Sequence, residues 1–354
     1  MKVAVIGGGV AGAELIRVAS PGPLEFTLIE PKKQIELQAL YPEYLGGLAR
    51  IQELTAPLKP FCEHVGAAHF QEKALRLEGK AVVCEKSKVE FDYVVVATGA
   101  AQNYFGIKGA ENTFSINTLE ETKRARRFVE DMNPERIMIM GSGLTGVEAA
   151  CILAESLDAS IYILEARDRV LPQFSPQTSQ LMEKALSKKG VNILTSTQVC
   201  EVKEDCILFG DGTCLDCDMA IWTAGVKPSQ FVQDLMLPKK NGWILVDSYL
   251  IAQDNIFAMG DCAWVEIDGK LATKTGLEAE RQAKHIARSL TRLAEGKPME
   301  KYSVRASTDS QVALISLGCD CAVGVVGKMC IGAPTRLIYS LKSWIDKSFI
   351  KRFK

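Results

Sequence analysis

The sequence of 354 residues contains no uninterrupted apolar run of the roughly 18 residues needed to cross a membrane. Its 42 basic and 43 acidic residues are almost balanced, so we expect no nucleic-acid partner. A strand-like run, KVAVIGGG, begins at residue 2, so we expect no export leader ahead of the fold. These absences favour a cytosolic protein, and the length favours two or three domains.

The cysteines lack the spacing of a disulfide framework. We predict that most of the 11 are small buried side chains. Cys214 and Cys217 form a C-x-x-C in an apparent hairpin, but no second pair lies at zinc spacing. We therefore predict a structural role for this pair and no metal site.

Two segments repeat the order of a strand, a glycine-rich turn, a helix and a second strand. In the first, GGGVAG follows VAVI and the second strand ends at Glu30; in the other, GSGLTG follows RIMIM and the second strand ends at Glu165. In G-x-G-x-x-G the glycines permit a tight turn, close approach of the backbone to a pyrophosphate, and close packing of helix on strand. The terminal Glu suits hydrogen bonds to ribose hydroxyls. The predicted dinucleotide-binding residues are Gly7, Gly9, Gly12 and Glu30 in the first site, and Gly141, Gly143, Gly146 and Glu165 in the second.

The repeat predicts an α/β fold with two Rossmann-like dinucleotide-binding domains. A glycine-containing segment near residues 104–110 indicates the crossover into the second domain, and residues near 245 lead back. We expect the first domain to comprise residues 1–107 and 246–305, and the second to comprise residues 108–245. Residues 306–354 are expected to form a C-terminal membrane-associating region.

The C-terminal residues 336–354 predict a basic amphipathic helix. Six basic residues and one acidic residue give this segment a net charge of +5, and apolar side chains recur at helical intervals. Such a helix is suited to a membrane interface near anionic headgroups. A helix docked on the protein body and a dimer contact are the alternatives. The predicted membrane contacts are Leu341, Lys342, Trp344, Ile345, Phe349, Lys351 and Phe353.

With GGGVAG, VVVATGA, GSGLTGVE, WTAGV and MGDCA in order, the chain resembles the flavoprotein reductases that hold FAD in one dinucleotide fold and NAD(P)H in the other. The resemblance implies FAD in the first domain and NADH in the second. Ala166 follows Glu165, and a carboxylate there repels a 2′-phosphate, which favours NADH over NADPH. The resemblance also implies FAD contacts for Thr98, Gly99, Asp261 and Thr275, and an NAD contact for Gly225.

The segments GSGLTGVEAACILAE and LYPEYLGGL are similar to the type II, non-pumping NADH:quinone dehydrogenases. This resemblance makes Glu148 the candidate catalytic residue, because it matches that family's buried Glu near the nicotinamide and quinone sites. One departure concerns the family's A-Q-x-A-x-Q motif. The matching stretch here is GLEAER, which puts Leu277 and Arg281 in the glutamine places and implies an altered quinone pocket.

The resemblance implies a respiratory flavoprotein that transfers a hydride from NADH to FAD and then two electrons to a membrane quinone. It implies a peripheral protein on the cytoplasmic side of the cell membrane, and a homodimer is left open.

Residues 31–61 contain no cysteine, which disfavours disulfide reduction. Two alternatives stay open: a sulfide:quinone oxidoreductase and an NADH-binding flavoprotein with an interaction or signalling role. The first would use Cys151 together with Cys319, Cys321 or Cys330.

Overall fold

The computed structural model describes residues 1–354, apart from the side chains of residues 332 and 333. The helices are α1 (Val10–Ala19), α2 (Tyr41–Leu45), α3 (Ile51–Leu54), α4 (Leu58–Val65), α5 (Leu119–Met132), α6 (Leu144–Ser156), α7 (Pro176–Lys188), α8 (Gln230–Asp234), α9 (Gly276–Ala294) and α10 (Arg336–Lys351). The strands before α5 are β1 (Lys2–Ile6), β2 (Glu25–Ile29), β3 (Gln34–Glu36), β4 (Thr55–Pro57), β5 (Ala68–Phe70), β6 (Ala74–Glu78), β7 (Ala81–Cys84), β8 (Lys88–Glu90), β9 (Tyr93–Val96), β10 (Ala101–Gln102) and β11 (Phe114–Ser115). Those between α5 and residue 245 are β12 (Arg136–Met140), β13 (Ser160–Leu164), β14 (Asn192–Leu194), β15 (Val199–Val202), β16 (Cys206–Phe209), β17 (Cys214–Asp216), β18 (Met219–Trp222), β19 (Val226–Lys227), β20 (Lys239–Lys240) and β21 (Trp243–Leu245). The remaining strands are β22 (Ile251–Gln253), β23 (Ile256–Ala258), β24 (Ala263–Trp264), β25 (Glu266–Ile267), β26 (Lys270–Leu271), β27 (Val312–Ser316), β28 (Ala322–Val326) and β29 (Met329–Thr335).

The first sheet has the strand order β22-β23-β9-β1-β2-β5. Its strands run parallel except for β22, which pairs with β23 in the antiparallel sense. The strands β1 and β9 are apolar and buried along most of their length, as expected where both faces of a parallel sheet are covered. The glycine turn at the end of β1 therefore lies at the carboxyl edge of the sheet, beside the ends of β9 and β23.

The second sheet repeats this arrangement with the order β11-β18-β12-β13-β14, and its strand pairs are all parallel. Its central strand β12 leads into the second glycine turn and then into α6, most of which is buried. Two Rossmann-like units are thus present, and the predicted fold class is confirmed.

The two sheets draw on separate parts of the chain. The first is built from residues 2–96 and 251–258, and the second from residues 114–222. The boundaries proposed above near residues 107 and 245 fall between these groups of strands. We propose these boundaries for the two domains.

The C-terminal region, residues 306–354, contains a sheet as well as the predicted helix. The strands β27, β28 and β29 form an antiparallel sheet, and α10 packs against this sheet and against α3 and β4. The ring of Phe353 is 1% exposed and lies edge-on to Phe61 of α4 at 5.4 Å, while Phe349 is also buried. The predicted membrane contacts of Phe349 and Phe353 are therefore wrong, because the C-terminal half of α10 docks on the core of the first domain.

Another face of α10 is exposed to solvent. Leu337, Leu341, Trp344 and Ile345 follow helical spacing, and all four are exposed, Leu337 at 79% and Trp344 at 66%. We call these four residues the α10 apolar surface. Lys351, near the end of the helix, is exposed as well. In the part of the chain that the structure describes, no helix has both the length and the apolar character required to span a bilayer.

The cysteines differ in two respects from the prediction. Five of the 11 are buried free thiols, namely Cys62, Cys84, Cys151, Cys217 and Cys262, so the prediction that most are buried is wrong. Cys206 and Cys214, however, form a disulfide between β16 and β17. Hairpin pairing brings them together across the turn, and the C-x-x-C spacing of Cys214 and Cys217 has no structural role as a pair.

We predict that Phe353→Ala lowers the free energy of unfolding by about 3 kcal/mol, because it removes a buried ring and leaves a cavity where α10 docks. Urea denaturation followed by circular dichroism measures the change. Trp344→Ala, on the exposed side of the same helix, is the control and is expected to change stability by less than about 0.5 kcal/mol. Equal effects of the two variants would contradict the docking of α10.

Candidate active site

The first glycine turn joins β1 to α1 and combines tight packing with open space. Gly7 has φ +108°, and a Cβ there would overlap the carbonyl oxygen of Ala97. A Cβ on Gly12 would overlap the carbonyl oxygen of Gly7, so the third glycine lets the helix approach the turn. A Cβ on Gly9 would meet nothing within 4 Å. Gly9 is also the N-cap of α1 and offers no side-chain acceptor, so the first helical amides are left for an anion.

The second glycine turn has the same construction. A Cβ on Gly141 would overlap the backbone of Ala224, and one on Gly146 would overlap the carbonyl oxygen of Gly141. The middle residue Gly143 again faces open space and caps α6 without a side-chain bond. Each turn therefore leaves an open space at a helix N-terminus, which we call a cradle. The first and third glycines on either side of it are packed too closely for a larger residue.

The carboxylates of Glu30 and Glu165 occupy equivalent positions beside these turns. Glu30 Oε2 accepts a hydrogen bond from the amide of Gly8 at 2.7 Å, and Glu165 Oε2 accepts from the amide of Ser142 at 3.1 Å. In each, the other oxygen accepts from the amide two residues further along, at 3.0 and 2.9 Å. A carboxylate can accept about four hydrogen bonds, so each retains capacity for a ligand hydroxyl.

Thr98, Gly99 and Asp261 lie at the carboxyl ends of the neighbouring strands β9 and β23, at the same edge as the first turn. The Thr98 hydroxyl is buried and lacks a hydrogen-bond partner among the described residues, as expected of a group that meets a ligand. Burial raises the pKa of the Asp261 carboxyl, and the nearby Lys274 opposes that shift. Thr275 caps α9 by accepting a hydrogen bond from the Glu278 amide at 3.4 Å.

Gly225 lies between β18 and β19, next to the second turn. Its carbonyl oxygen accepts from the amide nitrogen of the Gln102 side chain at 2.7 Å and from the backbone of Asn103 at 3.0 Å. The adjoining Ala224 is the residue against which Gly141 packs. The predicted NAD residues thus gather at one edge of the second sheet.

Glu148, the candidate catalytic residue, lies in α6 and is 7% exposed. Its Oε1 accepts from the amide of Ser316 at 2.9 Å and lies 3.6 Å from Lys342 Nζ. The same ammonium lies 3.1 Å from Glu43 Oε1 and 3.3 Å from Asp346 Oδ2. We call Glu43, Glu148, Lys342 and Asp346 the buried charge cluster.

The buried charge cluster holds three carboxyl groups around one ammonium, so it cannot be neutral with every carboxyl ionised. Burial raises the pKa of Glu148 to about 7, an effect that Lys342 opposes and Glu43 reinforces. Burial likewise raises the pKa of Asp346. The carboxylates more than offset the burial of Lys342 and raise its pKa. The cluster can therefore hold a proton near neutral pH.

The cluster was only partly predicted. The sequence singled out Glu148, but Glu43 and Asp346 were missed and Lys342 was predicted to contact a membrane. That prediction is wrong, because Lys342 is 7% exposed and faces the carboxylates. A signal was available: Lys342 and Asp346 stand four residues apart in α10, the spacing of a helical ion pair. Nothing in the spacing indicated that this pair turns inward.

The proposed quinone residues lie at the start of α9. Leu277 is exposed, and Arg281 lies one turn further, with its Nε 3.7 Å from Glu278 Oε2. Glu278 is buried and accepts from the hydroxyl of Tyr302 at 2.5 Å. Among the described residues, no hydrogen bond or ion pair joins Leu277 or Arg281 to the buried charge cluster. These two assignments stay predictions.

Two of the cysteines named for sulfide chemistry, Cys151 and Cys321, lie in surroundings that keep the thiol protonated. Cys151 is fully buried, and desolvation raises the pKa of its thiol to about 12. Burial also raises the pKa of Cys321. Because the thiolate is the reactive form, these environments disfavour nucleophilic or redox use of both residues.

A model of the pyridine nucleotide-disulphide oxidoreductase family matches residues 1–286. An external alternative NAD(P)H-ubiquinone oxidoreductase, B2, from Arabidopsis thaliana mitochondria is 25% identical over 75% of the chain. The chain spans about half of that relative, 54% of its length. A type II NADH:quinone oxidoreductase from Staphylococcus epidermidis is 25% identical over 92% of the chain and 89% of its own length.

Solved structures share the fold over nearly the whole chain. The sulfide:quinone oxidoreductase of Aquifex aeolicus matches with a TM-score of 0.86 and 19% identity, covering 99% of this chain and 91% of its own. NDH2 from Plasmodium falciparum, in complex with NADH, matches with a TM-score of 0.86 and 16% identity, covering 99% and 97%. At these identities the likeness establishes the common fold and does not distinguish the two reactions.

We predict that the stability of the protein falls as the pH rises from about 5 to 8, and that Glu148→Gln reduces this fall by roughly 1–3 kcal/mol. The raised pKa of Glu148 means that the folded protein binds a proton that the unfolded chain releases near its ordinary pKa of 4.5. The stabilisation is present below the unfolded pKa and is lost through about 7. Urea denaturation at several pH values measures it.

The matched control for this titration is Glu120→Gln, which removes an exposed carboxylate from α5. Its pH profile is expected to follow that of the unaltered protein. If Glu148→Gln and the unaltered protein show the same slope between pH 5 and 8, Glu148 does not hold the proton.

Proposed function

Because this chain belongs to the pyridine nucleotide-disulphide oxidoreductase family, we propose that it is an FAD-dependent enzyme that oxidises NADH and reduces a membrane quinone. The observation that carries the proposal is the pair of glycine cradles, each open at its middle glycine and each flanked by a Glu carboxylate. Two such cradles suit two dinucleotides held at the same time. The relatives named as type II and alternative NADH dehydrogenases support this choice of reaction.

The first cradle fits FAD. The helix N-terminus at Gly9 would receive the pyrophosphate, and Glu30 would bond the ribose. The unpartnered hydroxyl of Thr98 and the carboxyl of Asp261 lie at the adjoining strand ends, where the remainder of the cofactor would extend. When bound, FAD would supply the two-electron chemistry that amino-acid side chains lack. The N-terminus of α9, which Thr275 caps, would place a partial positive charge beside the FAD.

The second cradle would bind NADH. Gly143 leaves room for the pyrophosphate at the start of α6, and Gly225 would line the far side of the site. Glu165 would accept hydrogen bonds from the adenosine ribose and repel a 2′-phosphate. These roles make NADH the preferred donor over NADPH.

Glu148 and its neighbours would serve the proton side of the reaction. Reduction of a quinone by NADH takes up one proton from outside, because the hydride delivers two electrons and a single proton. A carboxyl whose pKa is near 7 can hold that proton at neutral pH and release it. Lys342, at 3.6 Å, would stabilise the carboxylate left behind. The apolar side chain of Leu277 and the neighbouring Arg281 would form the wall of the quinone pocket.

We also propose that the protein binds the surface of a membrane through the α10 apolar surface. Four large apolar side chains exposed on one helix face form a patch of the kind that marks a membrane or protein contact. Lys351, which is exposed near the end of the same helix, would lie near anionic headgroups, whereas Lys347 and Arg352 pair with Glu53 and Glu280 of the protein body at 3.0 and 2.8 Å. This is a peripheral mode of binding, on the cytoplasmic side in our proposal.

The electron-transfer proposal is tested by anaerobic stopped-flow of the purified flavoprotein, following flavin absorbance. We expect NADH to bleach the flavin rapidly, NADPH to bleach it more slowly, and a soluble quinone to restore the colour. Glu165→Ala is expected to reduce the preference for NADH by roughly tenfold, the equivalent of about 1.4 kcal/mol. Glu204→Ala, at an exposed site in the β15–β16 turn, is the control and should leave the preference unchanged.

The same experiment separates the competing reactions. Bleaching by sulfide without NADH would replace the proposal with sulfide oxidation, and slow bleaching by NADH without quinone turnover would favour an interaction or signalling role. Glu148→Gln is expected to slow the reoxidation of the reduced flavin by quinone. Unchanged rates for both half-reactions would remove Glu148 from the mechanism.

We predict that Leu341→Gln combined with Trp344→Gln weakens binding to phosphatidylcholine vesicles by roughly tenfold or more, since two apolar side chains no longer enter the bilayer. Co-sedimentation measures the loss. Met132→Gln combined with Met236→Gln removes two exposed apolar residues elsewhere and should have no effect. If the α10 variant still binds vesicles but changes its oligomeric state, the surface is a dimer contact.

A further inference from the structure

A cavity of about 820 Å³ lies outside the proposed active site, between α7, the end of α6 and the β27–β29 sheet. Part of the lining of the cavity is apolar and includes Leu181 and Ala185 of α7 and Leu317 beside the sheet. The residues that line it also include Lys184 and Lys188 of α7. An apolar wall combined with two ammonium groups suits an amphiphilic anion.

The sequence of α7 explains this lining. Gln177, Leu181, Lys184 and Lys188 follow at intervals of three and four residues and therefore share one face of the helix. The opposite face carries Met182 and Leu186, which are buried in the core of the second domain. The helix is thus held by one side and turns its polar side towards the cavity. Ser175, its N-cap, accepts from Thr178 and donates to the carbonyl of Lys328 at 3.1 Å, which ties α7 to the C-terminal sheet.

The charges in the cavity do not cancel. Lys189 forms an ion pair with Glu155, whose other oxygen accepts from the amide of Cys319 at 2.6 Å. Lys184 and Lys188 have no carboxylate within 4.0 Å among the residues whose side chains are described, and both are exposed. The cavity therefore contains one neutralised lysine and two uncompensated positive charges. Two ammonium groups one helical turn apart can contact the oxygens of a single phosphate group.

The position of the cavity identifies the source of that phosphate. Pro334 lines its edge, one residue before Thr335, the N-cap of α10. Leu337, the first member of the α10 apolar surface, follows within the first turn of that helix and is 79% exposed. The cavity therefore adjoins the surface that we propose enters the membrane, where phosphate groups are carried by lipids.

We infer that this cavity binds the headgroup of an anionic phospholipid, with its phosphate at Lys184 and Lys188 and the start of its acyl chains against Leu181 and Leu317. The inference rests on the proposed membrane binding and adds a headgroup-selective site to it. A free phosphate has the same chemistry but gains nothing from the apolar wall. The site would make binding to anionic membranes stronger than binding to zwitterionic ones.

The test uses the full-length protein and two kinds of vesicle, phosphatidylcholine alone and phosphatidylcholine mixed with phosphatidylglycerol. Co-sedimentation is measured for Lys184→Gln combined with Lys188→Gln. We expect this variant to lose roughly tenfold or more of the additional affinity for phosphatidylglycerol and to bind phosphatidylcholine as before. The control is Lys80→Gln combined with Lys86→Gln, which removes the same charge from exposed positions around β7 and should retain the additional affinity.

The outcomes separate this inference from the proposals on which it rests. An equal loss in both lysine pairs, or no loss in either, would overturn the headgroup site while leaving membrane binding intact. Loss of binding to both vesicle types in the Leu341→Gln, Trp344→Gln variant, with no loss in the Lys184, Lys188 variant, would support the α10 apolar surface and overturn the headgroup site. If inorganic phosphate raises the melting temperature of the unaltered protein but not of the Lys184, Lys188 variant, and phosphatidylglycerol adds no affinity, the site binds free phosphate and the lipid inference is wrong.

Discussion

The buried ammonium of Lys342 is the constraint on which the placement of α10 depends. Removing a charged group from water costs several kcal/mol, so Lys342 is stable only where carboxylates surround it. Glu43 of α2, Glu148 of α6 and Asp346 of α10 provide them within 3.1–3.6 Å. The ion contacts hold α10 at its middle, and the aromatic rings at its end pack into the first domain. Removal of Lys342 would leave three carboxyl groups in the interior without the ammonium that these contacts provide.

This attachment gives α10 two distinct surfaces. The face with Lys342 and Phe349 turns inward, and the face with Leu341 and Trp344 remains exposed. In the proposed function, the helix that meets the membrane is therefore also the helix that sets the charge around Glu148. A quinone comes from the same membrane, so a single element serves access to the lipid phase and control of a proton.

The repeated glycine units could be predicted because their chemistry is local. In each, the spacing of three glycines, the strand before them and the Glu after them are imposed by contacts within about 30 residues. The buried charge cluster could not be predicted, because Glu43 and Lys342 are separated by 299 residues and no local pattern joins them. The strands β27–β29 were not predicted for a similar reason. Packing against α6 and α7 stabilises the pairing of these strands. The short apolar runs in the sequence do not indicate this packing.

The sequence by itself determined the two Rossmann-like units, the glycines that open their cradles and the carboxylates beside them, because glycine geometry and the alternation of strands and helices are short-range properties. It also determined an amphipathic helix in residues 336–354, which the structure places at Arg336–Lys351. Only the tertiary structure decided which side of that helix faces water, which cysteines pair and which carboxylates surround Lys342. Those outcomes depend on the burial of groups distant in the chain, and the free energy of a buried charge is set by all its neighbours together.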